Sequence, residues 1–208
     1  MDYDYSKIRV PFIDNQAMVR ETNLFRKKFW DNSLPVDIEY IIDVKLEIDI
    51  IPSPGLYKEC NADALIGSNW KSLYIDKDKY SDERQQNRLR FSLAHEIGHF
   101  LLHKKVYREF GIKNPRDFNN FFNKISQEQY GYLETQANKF ANHLLLPREK
   151  LVIEKDRLFK KRIEKFGGRK IDEKMINAYL AIPVSRIFGV NEQPAEIALN
   201  DIIDPVRK

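Results

Sequence analysis

The stretch Arg90-Phe91-Ser92-Leu93-Ala94-His95-Glu96-Ile97-Gly98-His99-Phe100-Leu101-Leu102-His103 constrains this chain more than any other. It sets a His-Glu-x-x-His pattern inside an apolar repeat. Phe91, Leu93, Ala94, Ile97, Phe100 and Leu101 predict a mostly buried helix. Side chains four residues apart on a helix point nearly the same way, about 40° apart around the axis. His95 and His99 therefore share a face, and two imidazoles so placed can bind one Zn²⁺. Glu96 lies about 100° round from His95. It is badly placed to join the same metal and well placed to reach a water beside it, where a carboxylate can take a proton. A lone histidine on an apolar face is ordinarily a hydrogen-bonded core residue. Two histidines and a glutamate on one buried helix need a partner, because unpaired buried polar groups are costly. A metal ion is the simplest one.

A catalytic zinc takes three protein ligands and keeps one position open. The best candidate for the third is Glu134, in Tyr132-Leu133-Glu134-Thr135-Gln136-Ala137-Asn138-Lys139-Phe140-Ala141-Asn142-His143-Leu144-Leu145-Leu146-Pro147. Leu133, Ala137, Phe140, Ala141, Leu144 and Leu145 form one helical stripe, and Pro147 marks its end. Glu134 is expected at the start of this helix, close to the stripe. The runners-up are His103 and His143. His103 follows His99 by four residues, but one straight helix cannot easily wrap three side chains around a tetrahedral metal. It reads as a residue behind the ligands, or as an ordinary histidine at a helix C-terminus. His143 is nine residues from Glu134, about 180° round, and faces away.

With 208 residues, 42% hydrophobic and 32% charged, the chain suits one globular domain, or one domain with a small appendage. Cys60 is its only cysteine, so neither an internal disulfide nor a cysteine-rich zinc site is possible. A cytosolic home follows as the expectation. The opening Met1-Asp2-Tyr3-Asp4-Tyr5 is unlike a signal peptide, and no apolar run approaches membrane-spanning length. A net charge of +4 names no partner by itself.

Asp14 reads as an N-cap for an amphipathic helix to about Asn32, built on Ala17, Val19, Leu24, Phe25, Phe29 and Trp30. Pro35 and Asp37 start a short second helix. Leu46, Ile48 and Ile50 alternate with acids, a strand pattern, and Pro52-Ser53-Pro54-Gly55 breaks it. Residues 64–67 and 72–76 read as two paired strands, with an exposed edge expected near Leu73-Tyr74-Ile75. Ser81, followed by Asp82 and Glu83, is expected to cap the metal-motif helix. Residues 111–130 are rich in Asn and Phe and carry Phe118, Phe121 and Phe122 beside Phe110. They read first as a surface excursion packed by its own aromatics, and second as a lid or substrate-contacting insertion beside the site.

Residues 150–170 hold nine Lys/Arg against three acids, which reads as a solvated helix face. Gly167-Gly168 predicts a break, and residues 171–181 a helix. The stretch Pro183-Val184-Ser185-Arg186-Ile187-Phe188-Gly189-Val190-Asn191-Glu192-Gln193-Pro194 resembles a helix-turn-helix pattern. Its second helix carries Glu196 and Asp201 but no Lys or Arg, which argues against entry into a DNA groove. These readings give an α+β protein with a small antiparallel or mixed sheet. They divide it into residues 1–150, the metal-motif domain, and residues 151–208, a basic helical extension.

Residues 90–103 and 134–147 together resemble the ImmA/IrrE family of metallopeptidases. The family pairs an R-F-T-L-A-H-E-x-G-H-x-x-x-H helix with an E-x-x-A-N-x-F-A-x-x-L-L-x-P helix. The likeness extends over roughly residues 35–150, and Phe188-Gly189-Val190 is similar to the family's common ending. The resemblance implies a compact gluzincin-like fold, with His95, His99 and Glu134 as zinc ligands and Glu96 as general base. It implies cleavage of a specific partner, an Xre-type helix-turn-helix repressor often made from a neighbouring gene, in bacterial mobile elements and stress circuits. This chain departs from the pattern at His143, where many members have Glu. It also sets His99 and Glu134 35 positions apart, more than the family's usual spacing. Two other functions compete. One is a non-cleaving regulatory or antitoxin-type module binding such a partner, which leaves Glu96 without a use. The other is a nucleic-acid binder using residues 150–170, where Phe159 and Phe166 are the only interleaved aromatics.

Overall fold

The computed structural model describes residues 5–31, 33–108, 111–163 and 173–202. Phe110, the Gly167-Gly168 break, Phe166 and the end of the basic run lie outside the described residues. Helix α1 (Asn15–Phe29) starts as its sequence dictates, with the Asp14 carboxylate accepting from the Ala17 N–H at 2.8 Å. Asp37 caps the short α2 (Ile38–Tyr40) in the same way, and the chain runs on through a π turn at Ile41–Lys45.

The sheet follows as β1 (Asp49–Ser53), α3 (Leu56–Cys60), β2 (Ala64–Ile66) and β3 (Ser72–Asp76), in spatial order β1-β3-β2. β1 runs parallel to β3 and β2 antiparallel to it, so the sheet is mixed. Two expectations are corrected here. The strand signal from Leu46 is displaced: β1 begins at Asp49 and includes Pro52, which is tolerated because β1 is an edge strand. And Leu73-Tyr74-Ile75 is the central strand, so the edges of the sheet are β1 and β2.

After α4 (Lys77–Tyr80), a 3₁₀ turn at Glu83–Gln85 leads into α5 (Gln86–Leu102), which carries the His-Glu-x-x-His pattern. Asp82 caps the 3₁₀ turn by accepting from the Arg84 N–H, Ser81 closes α4, and α5 itself starts from Gln85 without a side-chain cap. A short α6 (Lys104–Tyr107) follows. The Phe- and Asn-rich stretch then folds as α7 (Pro115–Phe122), with Asn114 as N-cap and Pro115 in the first turn. Helix α8 (Gln127–Leu145) begins at the Ser126 cap, earlier than expected, so Glu134 lies two turns in rather than at the start.

Helices α5 and α8 are the frame of the molecule. They approach so closely at Gly98 that a Cβ there would sit 3.0 Å from the Cα of Ala137. Leu93, Ala94 and Ile97 from α5 and Leu133, Phe140, Ala141 and Leu144 from α8 are all buried. α9 (Arg148–Ile163), α10 (Glu173–Phe188) and α11 (Glu192–Asn200) complete the chain. Gly189, at φ +63°, makes the α10–α11 turn, and its carbonyl accepts from Arg90 of α5 at 2.7 Å. Leu180, Val184, Phe188 and Leu199 join the same buried apolar cluster as α5 and α8. The fold is thus α+β, a small mixed sheet with a helical C-terminal part. Among the described residues, no helix is long and apolar enough to cross a membrane.

Candidate metal centre

His95 and His99 project from one face of α5, one turn apart, and their Nε2 atoms are 2.9 Å from each other. Glu134 of α8 reaches the same point: Oε2 lies 3.3 Å from His95 Nε2, and Oε1 lies 3.5 Å from His99 Nε2. The three donors lie within 4.8 Å of one another. A tetrahedral ion with bonds of about 2.0–2.1 Å would hold its ligand atoms about 3.4 Å apart. The two carboxylate distances match that spacing, and the set can hold a metal ion.

The ring nitrogens facing away from this point are also engaged. His95 Nδ1 is 2.9 Å from Asn138 Oδ1 and His99 Nδ1 is 2.9 Å from His103 Nδ1. His103 Nε2 is 3.0 Å from Gln136 Oε1. Holding the far nitrogen of a ligand histidine fixes its tautomer and ring orientation. His103 therefore stands behind the donor set and outside it. His143 is remote, with Nε2 3.1 Å from Asn15 Oδ1. Asn138 has a signal in the sequence, because it lies four residues after Glu134 on the same face. Gln136 has none.

Glu96 is buried, and its Oε2 accepts from the Ile66 N–H of β2 at 2.7 Å. The link follows from strand geometry. At the two ends of β2, Asp63 and Gly67 bond to β3, through Asp76 N–H to Asp63 O and Gly67 N–H to Ser72 O. Residues 64 and 66 then turn their backbone groups the other way, toward α5.

The electrostatics follow from burial and opposite charge. Burial disfavours a charged His95, but Glu134 beside it outweighs this, and its pKa rises to about 9. Burial works against an ionised Glu134 too, yet the two histidines hold its carboxyl far below the usual range. Burial pushes the Glu96 carboxyl above its ordinary value. His103 is driven down to about 3, first by burial and then by the charge of His99, and is neutral. Burial and the Glu134 carboxylate push the Tyr130 phenol above its ordinary value, so it remains a donor.

A cavity of about 220 Å³ opens over this group, lined by Ala64, Leu65, Tyr107, Phe118 and Tyr130 as well as the metal-facing residues. Phe118 brings α7 to the cavity wall. The helix is anchored by Asn119 to the Glu59 carbonyl and by the Tyr74 hydroxyl to the Lys113 carbonyl. The aromatic stretch therefore packs partly on itself, through Phe118 against Phe121 and Phe122, and partly against the rest of the fold, and it lies beside the site. Phe121 is buried against Tyr5, and Phe118 forms part of the floor. Residues 73–167 match the family model for peptidase M78, the IrrE N-terminal-like domain. The likeness to that domain covers a little under half of the chain. The match begins in β3, includes all of α5 to α8, and ends in the region after α9. No curated protein matches the chain.

Proposed function

We propose that the protein is a zinc endopeptidase that cuts a specific protein partner, an Xre-type helix-turn-helix repressor, in the cytoplasm. His95, His99 and Glu134 hold the metal and Glu96 is the general base. The observation that carries this reading is the convergence of three donor atoms within 4.8 Å beside a buried carboxylate that is itself tied to a strand edge. Zinc bound there would supply Lewis acidity and an activated water.

The chain's own residues do the rest. Glu96 keeps Oε2 on the Ile66 N–H and offers Oε1 to the proton of the attacking water. It then hands that proton to the leaving amide nitrogen, so that one peptide bond becomes a carboxylate and an amine. The β2 edge at Ala64 offers backbone groups to an extended substrate, which would lie across the site as an added strand. The strand that positions the base is thus the strand that aligns the scissile bond. Tyr130, kept protonated, can donate to the oxygen on which negative charge develops. Residues 1–150 hold this machinery, and residues 151–208 contribute partner selection.

The test is incubation of the purified, zinc-loaded protein with the helix-turn-helix protein encoded beside it. A single cleavage that is lost with a chelator and restored by zinc is expected. Tight binding without cleavage would make the protein a binding module instead.

A further inference from the structure

His103 is 1% exposed, and it is not among the three converging donors. Its surroundings give it a direction. The Gln136 amide donates to the Pro11 carbonyl at 2.7 Å, and a carbonyl can only accept. Gln136 Oε1 is thereby turned to His103 Nε2, 3.0 Å away, and it too can only accept. His103 Nε2 must then carry the hydrogen. A neutral imidazole has one N–H, so His103 Nδ1 is left with a lone pair. That lone pair faces His99 Nδ1 at 2.9 Å, which must donate. His99 Nε2 is left bare, and it is the atom directed at His95 and Glu134.

We infer that His103 is a positioning residue that sets the tautomer of His99, in a relay polarised by the Pro11 carbonyl through Gln136. Each link allows one arrangement of hydrogens, and that arrangement presents a metal-ready nitrogen before any metal arrives. Ligand histidines are commonly held by a carboxylate or a backbone carbonyl. Here the terminal carbonyl is the same kind of group, set two side chains away, at a sequence distance of 125 residues from Gln136. The N-terminal segment is fastened in place beside it, because the Val10 N–H donates to Gln129 of α8 at 2.7 Å. Residues 10 and 11 therefore act on the metal centre without approaching it.

The inference rests on the metal-site reading, and two measurements separate them. The first is the tautomeric state of the histidines in metal-stripped and zinc-loaded full-length protein, read from long-range ¹H–¹⁵N correlations. His103 protonated on Nε2 alone and His99 carrying its hydrogen on Nδ1 are expected in both forms. A doubly protonated His103, or one protonated on Nδ1, would overturn the relay whether or not zinc binds. The second is zinc affinity by competition with a chromophoric chelator. Gln136→Leu and His103→Phe should each weaken binding by about 10–100-fold, the scale of a lost partner behind a ligand. Gln136→Glu keeps an oxygen that can accept from His103 but has no hydrogen to donate to the Pro11 carbonyl, so it should weaken binding too. Circular dichroism of the metal-free proteins checks folding. If His103→Phe fails to fold, the two Gln136 variants decide between them. Equal affinities for Gln136→Leu and the parent would overturn the relay, whereas a parent that binds no zinc but shows the expected tautomers would overturn only the metal reading.

Discussion

Two polar clusters line the same cavity, and they are built on opposite plans. Around Asp63, the carboxylate receives Lys79, two Arg88 donors and the Ser92 hydroxyl, so its charge and its hydrogen-bonding capacity are answered by the protein's own atoms. Around Glu134, the far nitrogens of the histidines are held from outside, by Asn138 and along the His103 relay, and three ligand-type atoms converge at the centre. The first cluster is finished. The second is arranged around something the polypeptide does not supply. Burial of ionisable groups is therefore a poor guide to function by itself; what separates the two is whether the protein's own atoms complete the cluster.

The largest expected effect comes from breaking the inward-facing set. His99→Ala should abolish stoichiometric zinc and all peptidase activity, read by elemental analysis of protein purified without added metal. Full zinc content in that variant would remove the contrast between the clusters. Glu96→Gln should retain zinc and fold while peptidase activity falls by at least ~10²-fold, the scale of a lost general base. Cleavage of the partner at the parent rate would show that Glu96 is not the base.

The finished cluster should answer to stability rather than activity. Asp63→Asn should cost about 1.5–3 kcal/mol, the worth of hydrogen bonds to charged groups, and leave zinc content unchanged. Burial pushes the Asp63 carboxyl up, but the hydrogen bonds and charges of Arg88 and Lys79 hold it below its ordinary value. A carboxyl depressed in the folded state stabilises above the unfolded value of about 3.9 and loses that contribution as pH falls through the folded value. The difference in melting temperature between parent and Asp63→Asn should thus be full at pH 7 and shrink below about pH 4. A gap independent of pH would mean that Asp63 acts by packing alone.

The smallest effect concerns exposed charge on α9. Reversing Lys160 and Lys161, both exposed on α9, should slow cleavage of the intact partner in a salt-dependent way and leave a short peptide spanning the cut site nearly unaffected. Equal slowing of both substrates would assign α9 to the catalytic fold.

The sequence made the helical frame legible because its signals are local. The spacing of His95 and His99, the stripe on α8, the Asp14 cap and the turn at Gly189 each depend on residues within a few positions. What it hid was non-local. The alternation from Leu46 carries no information on which strand lies in the middle, and the edge fell to β2 because β3 pairs on both sides. The aromatics of α7 read as surface because their partners, Tyr5 and Tyr130, are distant in sequence or belong to another helix. His103 was visible as a residue behind the ligands, but its orientation depends on Pro11, which no spacing rule connects to it.

Gly98 has a bearing on which ion the centre would accept. Two of the converging donors ride on α5 and one on α8, so the gap between these helices is also the bite of the three-donor set. That gap is held at its minimum by a hydrogen atom where any other residue has a carbon. A methyl at position 98 would meet the Ala137 Cα at 3.0 Å and its carbonyl oxygen at 3.2 Å, so the helices would have to part by a few tenths of an ångström. Metal–ligand bonds tolerate about 0.2 Å. A substitution that touches no donor would thus change the bite of the set by an amount comparable with that tolerance, and the glycine serves as the gauge against which the centre is cut.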